Sequence, residues 1–451
     1  MQEMILELLR DKKFSELKKL LSSMNSTDLV EYLEAVPESQ LLPIFRILPK
    51  ELAADVFVEM DGDMQVMLIT AFSDKELNNV LDELFVDDFA DIVEEMPASV
   101  AKRLLKQADP ETRKIINQIL AYPEDSAGSM MTTEYVDLKR SMTVGVAFDK
   151  IRKVGIDKET IYTCYVTDSA RRLMGVVTAR QLMLSEYDKK IADIMETEPL
   201  FANTHDDREF VAGLFEKYDI LTLPVVDKEG RLVGIITVDD AIDVLQEEAT
   251  EDIEKMAAIS PTDKPYLRTT VLNIFKSRIV WLLILMISAT FTGMIITGFE
   301  EALSNCVILT AFMPMLMNTG GNSGSQSSVT IIRALSLGDV KYKDIFKVLW
   351  KEIRVSLLCA LVLFCTNFVK MYLFDMLLLN MEGLTFSVIF TVCLALFITV
   401  IIAKIVGCSL PIIADKLKLD PAVMASPFIT TIVDAISLLV YFAIASWILA
   451  I

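Results

Sequence analysis

Residues 427–451 read PFITTIVDAISLLVYFAIASWILAI, an apolar run of membrane length broken by one carboxylate, Asp434. An ionisable group at that depth costs about 2.5–3.5 kcal/mol on insertion scales, so something must offset it. A helix places Ser426, Thr430, Asp434, Ser437 and Tyr441 at steps of four, four, three and four, hence on one face. A polar stripe around an acid is the pattern of an aqueous cation path. The competing reading pairs the acid with a cation of a neighbouring helix, for which Lys404 and Arg333 are the candidates, both expected near membrane ends.

Four earlier runs also reach the ~20 residues a bilayer needs, giving five spans near 279–299, 304–332, 350–374, 384–410 and 427–449. Arg333, Lys341, Lys343, Lys347, Lys351 and Arg354 lie around the connection between spans two and three, and Lys416 and Lys418 in that between four and five. The first connection has Glu300 and Glu301 and no base. With bases inside, the N-terminal part is cytoplasmic and the C-terminus external, as in a multi-pass protein of the plasma membrane with the lipid bilayer as partner. Lys404 then falls near the cytoplasmic end of span four, where snorkelling is expected.

Residues 1–270 carry 53 acids and 31 bases, a net −22, whereas the remainder is nearly balanced. Such a surface has too few cations to displace counterions from nucleic acid, which is excluded as a partner; it suits cations instead. No charged-then-apolar leader opens the chain, consistent with a cytoplasmic first part. Five of the six cysteines lie in apolar segments and none forms a CxxC pair, so buried inert thiols are expected. His205 is the lone histidine, which excludes HExxH chemistry and a His-based triad; no catalytic group is picked out, and the protein reads as a non-enzyme.

The first 125 residues repeat every twelve. Asn25, Pro37, Pro49, Asp61, Ser73, Pro97 and Asp109 punctuate the register, with Phe85 filling the remaining position. Apolar residues follow at fixed offsets of seven and eleven, from Tyr32 and Val36 to Ile116 and Leu120. Eight short helices stacked as an α-solenoid are expected. From about 122 to 250 the pattern changes to β-rich runs at Ile161–Val166, Leu173–Thr178, Leu221–Val226 and Leu232–Val238, again repeated: Met131-Thr-Thr-Glu matches Met195-Glu-Thr-Glu, and Gly175-Val-Val-Thr matches Gly234-Ile-Ile-Thr. An acidic helix, Ala241 to about Ile259, leads through breaks at Pro261 and Pro265 to the membrane.

Span two contains Asn318-Thr-Gly-Gly-Asn-Ser-Gly-Ser-Gln-Ser-Ser328, too polar to face lipid. Gly320, Gly321, Asn322, Gly324 and Gln326 are read as one pore wall, opposite Ser426, Thr430, Thr431 and Asp434; the alternative is helix packing through Gly320 and Gly324. Hard Mg2+ dehydrates reluctantly and is held through retained waters by one or two carboxylates, which fits so sparse a site. The acidic helix carries Asp239, Asp240, Asp243, Glu247, Glu248, Glu251, Asp252 and Glu254, and the helical repeat adds Asp55, Asp87, Asp88 and Asp91. Acids at such spacings repel, so their concentration calls for solvent or a cation.

The helical N-terminal part, the AYPEDSAGSMMT junction, the paired repeats, the helix ending EATEDI, TGGNSGSQS and DPAVMASPFITTIVDAISLLVYF together resemble the MgtE family of magnesium channels over essentially the whole chain. The resemblance implies an N domain at 1–125, a tandem CBS pair at 126–240, a connecting helix and linker at 241–270, and a five-helix pore domain at 271–451. It implies a homodimer with the pore between subunits, Asp434 at the selectivity site, and cytosolic Mg2+ holding the channel shut. The corresponding regulatory ligands are Asp55, Asp87, Asp91, Asp207, Glu209, Asp219, Asp240, Asp243, Glu248, Glu251 and Asp252. ATP is the other candidate cofactor, with Arg180 and Gln181 as contacts, although Gln181 replaces an Asp that often binds ribose in such modules. Ser426 stands where family members can carry Asn. A passive Mg2+ channel is the leading reading, and an ion-coupled secondary transporter of divalent cations is its rival.

Overall fold

The computed structural model describes residues 2–34, 36–262, 266–267, 269–424 and 426–449; Pro265 lies outside them, as does the side chain of Ser426. The chain divides into two compact units, Met1–Gln246 and Glu247–Ile451.

The first unit begins with helices α1 (Gln2–Arg10), α2 (Phe14–Leu21), α3 (Ser26–Glu34), α4 (Glu38–Phe45), α5 (Lys50–Val58), α6 (Gly62–Ala71), α7 (Asp74–Leu81), α8 (Val86–Glu95), α9 (Ala98–Gln107) and α10 (Pro110–Ile119). From α3 onward each helix starts one residue after a register position. The local reason is capping: Asp61 accepts from the Met64 amide at 2.7 Å, Ser73 and Glu76 form a capping box, and Asp109 accepts from Glu111 and Thr112. The helices α1 and α2 precede the register. The apolar offsets meet in one core that includes Ile44, Val56, Phe57, Leu68, Phe89 and Ile116, all 5% exposed or less; each such side chain contributes about 1.5–3 kcal/mol.

Two α/β modules follow. The first contains β1 (Asp137–Lys139), α11 (Val144–Val154), β2 (Thr163–Thr167), β3 (Leu173–Thr178), α12 (Ala179–Leu184), α13 (Ile191–Ile194) and β4 (Glu196–Thr197), in the sheet order β1-β2-β3-β4. The second contains β5 (Ala202–Asn203), α14 (Arg208–Tyr218), β6 (Thr222–Val226) and β7 (Leu232–Thr237). In each, a parallel pair is followed by an antiparallel one. The four expected β runs are present within a residue or two; β1, β4 and β5, only two or three residues long, carry too little pattern to be read. The matched repeats explain one another. Thr132 exchanges two 2.8 Å backbone hydrogen bonds with Ile235, beside Gly234, and Thr197 of β4 pairs with Gly175. A Cβ on Gly234 would stand 2.6 Å from Met131 Sδ, and one on Gly175 would run into the Glu196 carbonyl. Each glycine lets an M-x-T-E segment cross its strand.

Helix α15 runs Val238–Met256, starting and ending three residues earlier than expected. The second unit then contains α16 (Val271–Gly298), α17 (Glu300–Asn305), α18 (Met313–Ser336), α19 (Ile345–Lys370), α20 (Phe386–Lys416) and α21 (Ser426–Leu449). Among the described residues four stretches are long and apolar enough to cross a membrane: Val271–Gly298, Tyr342–Leu378, Phe386–Lys416 and Pro421–Leu449. The expected second span is not among them. Its helix, α18, begins at Met313 rather than near 304, after α17 and a 3-10 turn, and its polar middle keeps it off any apolar criterion.

Candidate metal centres

Helix α8 offers the first site. Its N-cap is Phe85, which has no side-chain acceptor; Glu134, just before β1, supplies one by accepting from the Val86 amide at 3.3 Å. That contact brings Glu134 to Asp87. Carboxylate oxygens of Asp87, Glu134 and Glu159 lie within 4.8 Å of one another. Asp87 is 7% exposed, and among the described residues its buried Oδ1 has no hydrogen-bond partner.

Burial and then the charge of Asp88 push the Asp87 carboxyl up to about 7. Asp88 also rises to about 7, through burial and then Asp240 and Asp239, and Glu159 to about 8, through burial and then Asp87. Burial raises Asp240 to about 7 although the Thr237 hydroxyl donates to it at 2.5 Å. Asp91, whose side chain reaches solvent, is raised by desolvation and by Asp87 and Asp240, and the exposed Asp55 by partial desolvation and Glu51. Burial first, and then the charges of their neighbours, thus favour the protonated forms of Asp87, Asp88, Asp240 and Glu159 in the absence of a cation. The structure therefore brings Asp87, Asp91 and Asp240 into one electrostatic cluster. Glu134 and Glu159 were not picked out from sequence; the one sign of Glu134 was Phe85, a register position with no capping side chain, which does not itself name a partner.

The other regulatory candidates lie elsewhere. Asp207 caps α14 by accepting from Glu209 and Phe210, and Glu209 is exposed beside it. Asp243 is exposed on α15, one turn beyond Asp239, and is raised by desolvation and then that neighbour. Asp219, in left-handed conformation at the end of α14, lines a cleft of about 500 Å3 with Tyr162, Thr178, Arg180 and Pro224. Gln181 is not in that lining. Its side chain closes a capping box with Thr178, accepting from the Thr178 amide at 2.7 Å, so the proposed Gln181 contact with nucleotide gives way to a cap.

In the second unit, Lys255 bridges Glu251 and Asp420, the latter at 2.7 Å. Burial alone would lower its pKa, but hydrogen bonds to Asp420 and Glu251 hold it above the usual value. Asp252 accepts from the Ser336 hydroxyl at 3.3 Å, and burial and then Asp420 raise its carboxyl. Glu248 is half-buried one turn before.

The membrane helices alter several expectations. Asp434 is half-buried, and among the described residues it has no hydrogen-bond or ion-pair partner. Thr430 and Thr431 are half-buried on the preceding turn, but the stripe divides above Asp434. Ser437 donates to the Val433 carbonyl and Tyr441 to the Leu309 carbonyl, both fully inside the bundle. Gly320, Gly321 and Gly324 are buried too, against Thr399 and Ser437, Thr430, and Ile429 and Ala403 respectively. Their place is helix packing rather than a pore surface. The exposed face of α18 instead carries Asn318, Asn322 and Gln326, one turn apart, with Asn322 donating to Asn318 at 3.1 Å. Snorkelling fails for Lys404, which is 6% exposed and turned inward, and Glu352 is a further acid within the span built on α19.

A family model described as a divalent cation transporter matches residues 313–444, one for the MgtE intracellular N domain matches 24–125, and one for the CBS domain matches 127–186 and 191–247. The chain is 35% identical to the magnesium transporter MgtE of Thermus thermophilus over 97% of its own length and 96% of that protein's, and 34% identical to that of Bacillus subtilis over 98% and 96%. A crystal structure of the cytosolic domain of the Mg2+ channel MgtE in complex with ATP covers 54% of the chain and 100% of that domain, at 35% identity and a TM-score of 0.52. The class is that of multi-helix membrane proteins carrying an N-terminal helical domain and a CBS pair. The chain belongs to the MgtE family.

Proposed function

We propose that the chain forms a homodimeric, Mg2+-selective channel for passive Mg2+ uptake across the cell membrane, with five spans per subunit, α18 included. The first unit is cytoplasmic, its helices α1 to α10 acting as a solenoid, and the C-terminus is external. The observation that carries this is Asp434: an acid inside an apolar helix with no protein partner among the described residues, whose cost is offset by a passing hydrated cation. The exposed face of Asn318, Asn322 and Gln326 cannot rest against lipid, so it meets water or a second subunit, and pairing two such faces encloses a polar path.

Cytosolic Mg2+ closes the channel by entering the acidic clusters around α8 and α15. A cation that binds the compact arrangement better than the loose one shifts the population towards it. Relatives' magnesium transport supports the choice of ion. The cleft beside Arg180 and Tyr162 is the proposed nucleotide site, supported by the ATP complex of a related cytosolic domain.

Purified protein in liposomes, with a Mg2+ gradient as the sole driving force, tests the reading. Mg2+ entry with unitary currents is expected. Entry that requires a second ion gradient would establish the coupled transporter instead.

A further inference from the structure

Lys404 lies within α20, about 18 Å from its C-terminal end at 1.5 Å per residue. Its ammonium stands 3.4 Å from the Ser327 hydroxyl of α18, and that hydroxyl donates to Glu352 of α19 at 2.7 Å. Among the described residues neither charge has a direct ion-pair partner, so one hydroxyl joins a buried cation to an acid across three helices. A lysine buried inside a membrane helix is costly, and one kept apart from its nearest acid needs a reason.

The reason lies in the surface that α18 offers its neighbours. Gly320, Gly321, Ser323, Gly324, Ser327 and Ser328 are all buried there. At Gly407 of α20 the backbones touch, since a Cβ would collide with the Gly324 carbonyl. Small residues permit this approach but provide no side-chain knobs to stop one helix rotating against another. A directional polar contact does. Successive residues on a helix stand about 100° apart, so holding Ser327 inward holds Gln326 and Asn322 outward.

We propose that Lys404, Ser327 and Glu352 form a polar clamp that sets the rotation of α18 and thereby aims the Asn318–Asn322–Gln326 face at the ion path. They are positioning residues, and the proposal rests on the reading that this face carries the ion. The clamp grips α18 from two helices at once, near the point where Gly324 meets Gly407 of α20. It also accounts for a lysine that is only 6% exposed and turned inward.

The test uses the full-length protein in liposomes, reading Mg2+ flux, the Mg2+-to-Na+ flux ratio, the melting temperature, and amide hydrogen exchange along α18. Ser327→Ala, and the neutral pair Lys404→Met with Glu352→Gln, are expected to lower Mg2+ flux about tenfold, as misaimed polar groups do. They should also lower the flux ratio and speed exchange over 318–326. Lys404→Arg, which keeps a cationic donor, should retain most of the flux. The neutral pair leaves no unpaired charge, so its melting temperature should match the wild type. If it loses stability, Ser327→Ala and Lys404→Arg decide the matter. Wild-type flux, ratio and exchange in Ser327→Ala would overturn the clamp. If wild-type protein passes no Mg2+, the channel reading fails, and faster exchange in Ser327→Ala would still support the clamp while unchanged exchange would overturn it.

Discussion

Around α8, Asp87, Asp88, Asp240 and Glu159 stand close enough that burial and one another's charge raise them to about 7 or 8, whereas in the membrane unit Asp434 meets neither a second acid nor a base among the described residues. In the proposed function both regions take a divalent cation, for opposite physical reasons. In the cluster, a cation cancels repulsion among several groups, so its binding changes how the modules carrying them fit together. At Asp434 one charge and a few neutral oxygens attract the ion without trapping it, the balance that conduction needs. Crowded acids suit a sensor and a solitary acid suits a passage.

The comparison breaks most visibly at the solitary acid. Asp434→Asn should abolish Mg2+ flux in liposomes while the melting temperature holds or rises, because an uncompensated charge is removed. A fall in stability with flux retained would mean that Asp434 has a structural partner.

Its surroundings give a smaller but still large effect. Gly324→Leu places a branched side chain where a Cβ already meets Ile429 at 2.9 Å and the Ala403 carbonyl at 3.1 Å. Overpacking of this kind costs about 1–3 kcal/mol. Thermal unfolding of the detergent-solubilised protein should show that loss in the membrane unit, leaving the unfolding of the first unit unchanged.

The smallest effect sharpens the crowded side. Acids whose folded pKa exceeds the unfolded value near 4 contribute stability that is present below that value and is lost as pH rises through the folded values of about 7 and 8. Without divalent ions, the melting temperature of the first unit should therefore fall between pH 5 and pH 8.5. Mg2+ should flatten that slope above pH 7 and bind more weakly below it, where protons compete. A flat profile without Mg2+ would mean that the acids are merely solvated.

Much of this arrangement is legible in the chain because it is local. The twelve-residue register marks the starts of α3 to α10, since each punctuating residue caps or turns its own helix, and the M-x-T-E and G-x-x-T repeats mark both modules. What escapes is decided by distant partners. Glu134 becomes a cap and a candidate ligand only because Phe85 leaves α8 uncapped. Lys404 turns inward because Ser327 and Glu352 await it on other helices, and helical periodicity alone could not separate Asp434 from Ser437 and Tyr441, whose hydroxyls find carbonyls within the bundle.

The most direct measurement applies Mg2+ to the side bearing the first unit while recording current through reconstituted protein. The account predicts that wild-type currents close as Mg2+ rises into the millimolar range, that Asp87→Ala with Asp91→Ala stays open there, and that Asp434→Asn is silent throughout. Identical closure of the wild type and the double variant, or wild-type conduction by Asp434→Asn, would contradict it.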